Sequence, residues 1–178
     1  ILAACEERDL AYSMVTNGTL INHESIKAFR EFSRLSVMVS LDGVGLVHES
    51  IRGKGTFKKV DRILRGLVDA GVEVETLCTL NAENMSRFRE VAEYCRKIGI
   101  VCNFNLFKPF WPEQNVLVPE PRAFFATVIE LFRMRQFEGY NIGLSNAAIV
   151  GDLLGMAHRD ECRATRSGFA INVHGQMI

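Results

Sequence analysis

The chain has 178 residues, 48% of them hydrophobic, enough to bury one sizeable core and carry a small appendage. Its 21 basic and 21 acidic side chains cancel to a formal net charge of zero, so the charge balance gives no footprint for a nucleic-acid partner. No apolar run approaches the ~20 residues of a spanning helix and no basic segment leads into an apolar one, so neither a membrane partner nor an export signal is expected.

Short apolar runs alternate with amphipathic stretches, the pattern of β/α units built on a parallel sheet. Ala11 to Thr16 reads as a strand, followed by a helix from about Glu24 to Leu35 with Ile26, Phe29, Phe32 and Leu35 on one stripe. Ser36 to Leu41 is the second strand, and Phe57, Val60, Ile63, Leu64 and Leu67 mark the next helix, which Gly71 is placed to end. Val72 to Leu80 is the third strand. After Asn84 comes a helix with Met85, Phe88, Val91, Ala92, Cys95 and Ile98 on one face and a stop at Gly99. Ile100 to Phe107 is the fourth strand, and a proline-bearing loop leads to a long helix from about Arg122 to Gln136. After Gly139 the pattern changes to a short helix around Asn146 to Met156, then Cys162, then a strand from Phe169 to Val173 turning at His174-Gly175.

The five cysteines, at positions 5, 78, 95, 102 and 162, form no C-x-x-C pair, which argues against a disulfide-stapled secreted fold and for a reducing cytoplasm. The sequence opens at Ile1-Leu2-Ala3-Ala4-Cys5 without an initiator Met and ends in an apolar run at Met177-Ile178, so a piece of a longer protein is expected.

Polar residues gather where each strand ends: Thr16-Asn17-Gly18-Thr19, Ser40-Leu41-Asp42-Gly43, Thr79-Leu80-Asn81 and Asn103-Phe104-Asn105. In β/α barrels the active site lies at the C-terminal ends of the strands, where the loops converge. Either Asn17-Gly18 or Asp42-Gly43 alone reads as a turn and no more, since Gly and Asn tolerate positive φ and Asp bonds to its own backbone.

The ordered series is more specific than its members. Thr16-Asn17-Gly18-Thr19-Leu20-Ile21 resembles the segment that closes the third barrel strand of radical S-adenosylmethionine proteins. Val39-Ser40-Leu41-Asp42-Gly43, with His48, Ile51-Arg52-Gly53 and Phe57, resembles their fourth-strand signature, and Gly71-Val72 with Thr79-Leu80-Asn81 and Asn84 their fifth-strand unit. The subgroup implied includes anaerobic sulfatase-maturating enzymes and peptide-modifying maturases. Cys162, Ser167-Gly168, Ile171-Asn172-Val173 and His174-Gly175 look like the opening of the SPASM or twitch auxiliary domain, with His-Gly where that family has Asp-Gly.

This resemblance implies an α/β fold: a partial (β/α) TIM-like barrel over residues 1–140, holding strands 3–6 of a (β/α)6 barrel, and the start of a small auxiliary iron–sulfur domain over 141–178. It implies an oxidoreductase that cleaves S-adenosylmethionine reductively at a 4Fe–4S cluster, giving a 5′-deoxyadenosyl radical for peptide or protein side-chain modification. The cofactors carry that chemistry, while the protein positions them and excludes water. Ser40 is expected to hydrogen-bond the ribose or amino-acid part of S-adenosylmethionine, and Arg52 to hold its carboxylate. Asn17 and Thr19 line the neighbouring loop as further cofactor-binding candidates, Asp42 fixes the loop geometry, and Cys162 is the candidate ligand of an auxiliary iron–sulfur cluster. An electron donor such as flavodoxin or ferredoxin is implied. The family's C-x3-C-x2-C triplet is absent, so this chain alone is expected to be inactive.

Two rivals share the strand-end chemistry: an ordinary (β/α)8 barrel aldolase or isomerase, and a non-catalytic descendant that binds or scaffolds. The first needs a Lys, His or carboxylate pair where this sequence offers mainly Ser, Thr and Asn. The substrate, the hydrogen-donor or acid–base residues and the oligomeric state are not legible in the sequence.

Overall fold

The computed structural model describes residues 2–109 and 111–144. In chain order they form α1 (Leu2–Glu7), β1 (Tyr12–Thr16), α2 (His23–Phe29), β2 (Leu35–Ser40), α3 (Leu46–Arg52), α4 (Thr56–Asp69), β3 (Glu73–Leu80), α5 (Phe88–Ile98), β4 (Val101–Leu106), α6 (Pro121–Phe137) and β5 (Ile142–Leu144). The strands pair in sequence order, β1-β2-β3-β4-β5, and every pair is parallel. Right-handed β-α-β crossovers place successive helices on the same side, as in consecutive units of a β/α barrel. Among the described residues no helix is long and apolar enough to cross a membrane.

Each helix buries one stripe. In α4 the buried residues are Val60, Ile63, Leu64 and Leu67, the i, i+3, i+4, i+7 spacing of a single face; in α6 they are Thr127, Val128, Leu131 and Met134. These stripes meet the buried half of each alternating strand: Leu35, Val37 and Val39 of β2, Val74, Thr76, Cys78 and Leu80 of β3, Cys102 and Phe104 of β4. The other face of the sheet carries Ser36, Met38 and Ser40 of β2, Glu75, Leu77 and Thr79 of β3, and Asn103 and Asn105 of β4, all half-exposed. Cys78, Cys95 and Cys102 are buried free thiols, two of them on strand faces turned toward the helices.

The four expected strands match to within a residue at each end. Gly71 and Gly99 take φ of 71° and 77°, as the two helix stops require. Three expectations change. The first helix ends at Phe29 rather than running to Leu35, because Leu35 is drawn into β2, where it is 2% exposed. The Glu6 carboxylate of α1 holds the intervening turn through the Arg34 N–H (2.9 Å) and the Ser33 hydroxyl (3.1 Å). The stretch after Gly43, to which the sequence reading assigns no element, holds α3. And β5 extends the sheet beyond residue 140, pairing Ile142 with Cys102 and Gly143 with Asn103. The readings from Asn146 onward lie outside the described residues.

Candidate functional site

Two glycine turns close β1 and β2 side by side, since Thr16 stands opposite Val39 in the sheet. The first is held by its own side chains. Thr16 Oγ1 accepts the Gly18 N–H (3.1 Å), and Asn17 Oδ1 accepts both the Thr19 N–H (3.1 Å) and the Thr19 hydroxyl (2.9 Å). Gly18 has φ of 75°, and a Cβ there would stand 3.1 Å from Val39 Cγ1, so glycine is needed for both conformation and approach. Asn17 is exposed and Thr19 half-buried.

The second turn is wired to three elements. Asp42 is 2% exposed; its Oδ2 accepts from Arg52 Nε at 2.5 Å, and its Oδ1 accepts the Thr79 N–H at 2.9 Å. The Asp42 N–H donates to His48 Nδ1 (3.2 Å), and the Asp42 carbonyl accepts from Asn84 Nδ2 (2.9 Å), which also donates to the Thr79 carbonyl (2.9 Å). Asn84 Oδ1 accepts the Asn81 N–H (2.8 Å), and Asn81 Oδ1 accepts from the backbone of Glu83 (2.8 Å) and Asn84 (3.2 Å). A Cβ on Gly43 would stand 2.5 Å from Val47 Cγ1 and 2.8 Å from the His48 amide nitrogen, so only glycine lets α3 start so close to β2. Burial lowers the His48 pKa, with the Asp42 charge partly opposing, and the imidazole accepts at Nδ1 in its neutral form.

Ser40 sits just before this turn on the face away from the helices, opposite Leu77 of β3. Its hydroxyl makes no hydrogen bond with another side chain among the described residues. Arg52 ends α3 with its side chain 37% exposed, anchored to Asp42 through Nε; among the described residues no hydrogen bond is made by Nη1 or Nη2. The structure therefore joins Asp42 to Arg52, joins Asn17 to Thr19, and sets Ser40 on the strand end beside them. Cys162 lies outside the described residues.

Sequence reasoning gives no role to His48 and passes over Glu75, while Asn84 and Asn103 enter it only as members of a pattern. His48 and Asn84 hold the Asp42 turn in place. Their spacing from Asp42 carries no periodic signal. Glu75 and Asn103 stand together on the polar face, with Asn103 Nδ2 donating to Glu75 Oε2 at 2.6 Å. The signal for that pair was present in β3, where Glu75 alternates with buried Val74 and Thr76.

An iron–sulfur cluster has no ligand set here: among the described residues no three of His, Cys, Asp and Glu are grouped to hold a metal. Cys78 and Cys102 have their thiol pKa values raised by burial, so neither is poised as a thiolate ligand.

Comparison with known proteins is consistent with this geometry. A family model described as the radical SAM superfamily matches residues 1–95. The chain is 29% identical over 125 residues to an AdoMet-dependent heme synthase of Nitratidesulfovibrio vulgaris, covering 69% of this chain and 32% of that protein. It is 32% identical over 115 residues to the antilisterial bacteriocin subtilosin biosynthesis protein AlbA of Bacillus subtilis, covering 62% of this chain and 26% of that one. The chain thus spans about a third or less of the length of these relatives. Among solved structures it is similar to Streptococcus suis SuiB bound to S-adenosylmethionine, with a TM-score of 0.68 at 11% identity over 81% of this chain and 34% of that chain. SuiB bound to its precursor peptide SuiA gives a TM-score of 0.63 at the same identity and coverage.

Proposed function

The chain belongs to the radical S-adenosylmethionine superfamily, and from that premise we propose that its strand ends form one wall of the S-adenosylmethionine site of a peptide- or protein-modifying enzyme. The observation that carries this reading is the bracing of the Arg52 guanidinium, at the end of α3, by Asp42, two residues after the uncommitted Ser40 hydroxyl that ends β2. Ser40 is free to bond the ribose or amino-acid part of the cofactor. Arg52, its Nε fixed by Asp42, keeps Nη1 and Nη2 for a carboxylate, so part of the entropy of ordering that long side chain is met before the ligand arrives. Asn17 and Thr19 shape the neighbouring loop, and Asp42 positions Arg52 rather than acting as a base.

S-adenosylmethionine bound at a 4Fe–4S cluster supplies, on reductive cleavage, a 5′-deoxyadenosyl radical able to abstract hydrogen from an unactivated position. The cluster ligands are not among the described residues, so no step through it is assigned to this chain. The peptide or protein substrate is supported by the relative named for bacteriocin biosynthesis and by the precursor peptide bound to SuiB. A flavodoxin or ferredoxin as electron donor, an auxiliary cluster ligated by Cys162 and a reducing cytoplasm complete the reading; the buried free thiols are compatible with that compartment.

The test is direct. The full-length protein, reconstituted anaerobically with iron and sulfide and reduced with dithionite, is expected to convert S-adenosylmethionine to 5′-deoxyadenosine. An iron-replete protein that neither binds nor cleaves it would overturn the reading. Equal iron per chain in the wild type and Cys162→Ala would remove the auxiliary ligand alone, since a cluster needs several thiolates fixed together.

A further inference from the structure

The face of the sheet turned away from the helices holds a polar pair that the reading above leaves unused. In register, Glu75 of β3 stands between Met38 of β2 and Val101 of β4. One step toward the strand ends, Ser40, Leu77, Asn103 and Gly143 form the next row across four strands. A carboxylate among neighbours such as Met38, Leu77 and Val101 is unusual, because interior barrel layers are dominated by branched apolar residues.

The pair is built rather than incidental. Asn103 Nδ2 donates to Glu75 Oε2 at 2.6 Å, a short charge-assisted bond that orients the carboxamide. Its Oδ1 then lies toward β5, where a Cβ on Gly143 would come within 2.0 Å of it. Any larger residue at 143 would displace the amide, so three strands cooperate to hold it. Among the described residues, Glu75 Oε1 and Asn103 Oδ1 accept no hydrogen bond. What remains is two acceptor oxygens, one carrying formal charge, in the same row region as Ser40 and on the same face.

We infer that Glu75 and Asn103 form a subsite for a cationic nitrogen group, an ammonium or guanidinium, presented to the face that binds S-adenosylmethionine. Two acceptors with net negative charge complement a donor-only cation, whereas an anion or an apolar group would leave both oxygens unpaired. Two molecules at this site carry such a group: S-adenosylmethionine, in its amino-acid ammonium, and a peptide substrate, in a lysine or arginine side chain. The inference rests on the proposed function for where the ligands lie, and adds the residues that select their charge.

The test measures binding to the full-length, cluster-reconstituted protein. Dye-labelled glycine–serine peptides with a central lysine, arginine, norleucine or citrulline are titrated by fluorescence anisotropy with S-adenosylmethionine present, and S-adenosylmethionine alone is measured by equilibrium dialysis. If the peptide supplies the cation, the lysine or arginine probe binds at least about tenfold tighter than its neutral counterpart, Glu75→Gln abolishes that preference, and S-adenosylmethionine affinity is unchanged. If the cofactor supplies it, Glu75→Gln weakens S-adenosylmethionine by a similar factor and the peptides show no preference. Unchanged affinity for S-adenosylmethionine together with an unchanged or absent peptide preference in Glu75→Gln overturns the inference. Should Glu75→Gln fail to fold, Asn103→Ala serves instead: it keeps the charge, removes one acceptor, and must weaken whichever cation binds several-fold. A protein that makes 5′-deoxyadenosine but fails these titrations keeps its activity and loses this subsite; one that passes them and makes none keeps the subsite and loses the activity.

Discussion

The turns after β1 and β2 look alike in sequence, each a short polar residue followed by glycine at a strand end, yet they are built by different physics. Asn17-Gly18 closes on itself: its bonds run to Thr16 and Thr19, and its one long-range demand is that Gly18 lie against Val39. Asp42-Gly43 closes on the rest of the molecule, reaching α3 through Arg52 and His48, β3 through Thr79 and the segment after β3 through Asn84. A local turn can be replaced by another local turn. A turn that supplies both acceptor oxygens of a buried carboxylate to two other elements cannot, because its loss leaves their donors unmatched.

The largest expected effect follows from that difference. Asp42→Ala removes the partner of Arg52 and the acceptor of the Thr79 N–H in a site 2% exposed, and is expected to cost about 3 kcal/mol, the lower end for breaking a buried pair because Arg52 can relax into water. Urea denaturation of wild type and variant measures it, and a loss below about 1 kcal/mol would show that the second turn is as local as the first. Arg52→Ala leaves the buried Asp42 carboxylate without its ion partner, so it is expected to destabilise by a similar amount, and in addition to weaken S-adenosylmethionine binding to the full-length protein by about 1.5–3 kcal/mol. Unchanged affinity would confine Arg52 to bracing the turn.

The glycines sharpen the contrast. Gly43→Ala drives a methyl group to 2.5 Å from Val47 Cγ1 and 2.8 Å from backbone at His48, a clash that only movement of α3 relieves, at an expected cost of about 2–3 kcal/mol. Gly18→Ala meets one movable side chain at 3.1 Å and a positive φ, an expected cost of about 1–2 kcal/mol. Thermal melts of the two variants should rank them in that order, and the reverse order would place the tighter packing at β1.

How much of this was legible follows from the same distinction. Strand positions were readable because Leu35, Val37, Val39 and their counterparts in β3 and β4 obey the two-residue period that burial on one face imposes. The helix stops at Gly71 and Gly99 were readable because a left-handed residue is a local requirement. The early end of α2 was not, since Phe32 and Leu35 continue the helical stripe and only competition from the sheet decides against it. Nor was α3 foreseen, because Gly45 precedes it with no side-chain cap. At the site, Ser40, Asp42 and Arg52 were found as members of a pattern, but the bond from Arg52 to Asp42 depends on how far α3 folds back. Glu75 was not legible because it lies within β3 and not at its C-terminal end, and its partner Asn103 is chosen by strand register.

The smallest effect expected is a pH dependence in the buried turn that the exposed turn lacks. His48 has its pKa lowered from the ordinary 6.5, chiefly by burial, and its Nδ1 accepts the Asp42 N–H, which the protonated ring cannot do. The folded state therefore binds this proton less readily than the unfolded state, so stability rises with pH between the two pKa values. The contribution of neutral His48 is fully present above the unfolded value near 6.5 and is lost as pH falls through the lower folded value. His48→Gln, which can still accept from the Asp42 N–H through its side-chain oxygen but does not titrate, should flatten that part of the profile while Asn17→Ala leaves it unaltered. Denaturation midpoints of the three proteins from pH 7.5 down to 5 provide the comparison. An unchanged slope in His48→Gln would mean that another group titrates there, and would detach the pH response from the turn that joins β2 to α3.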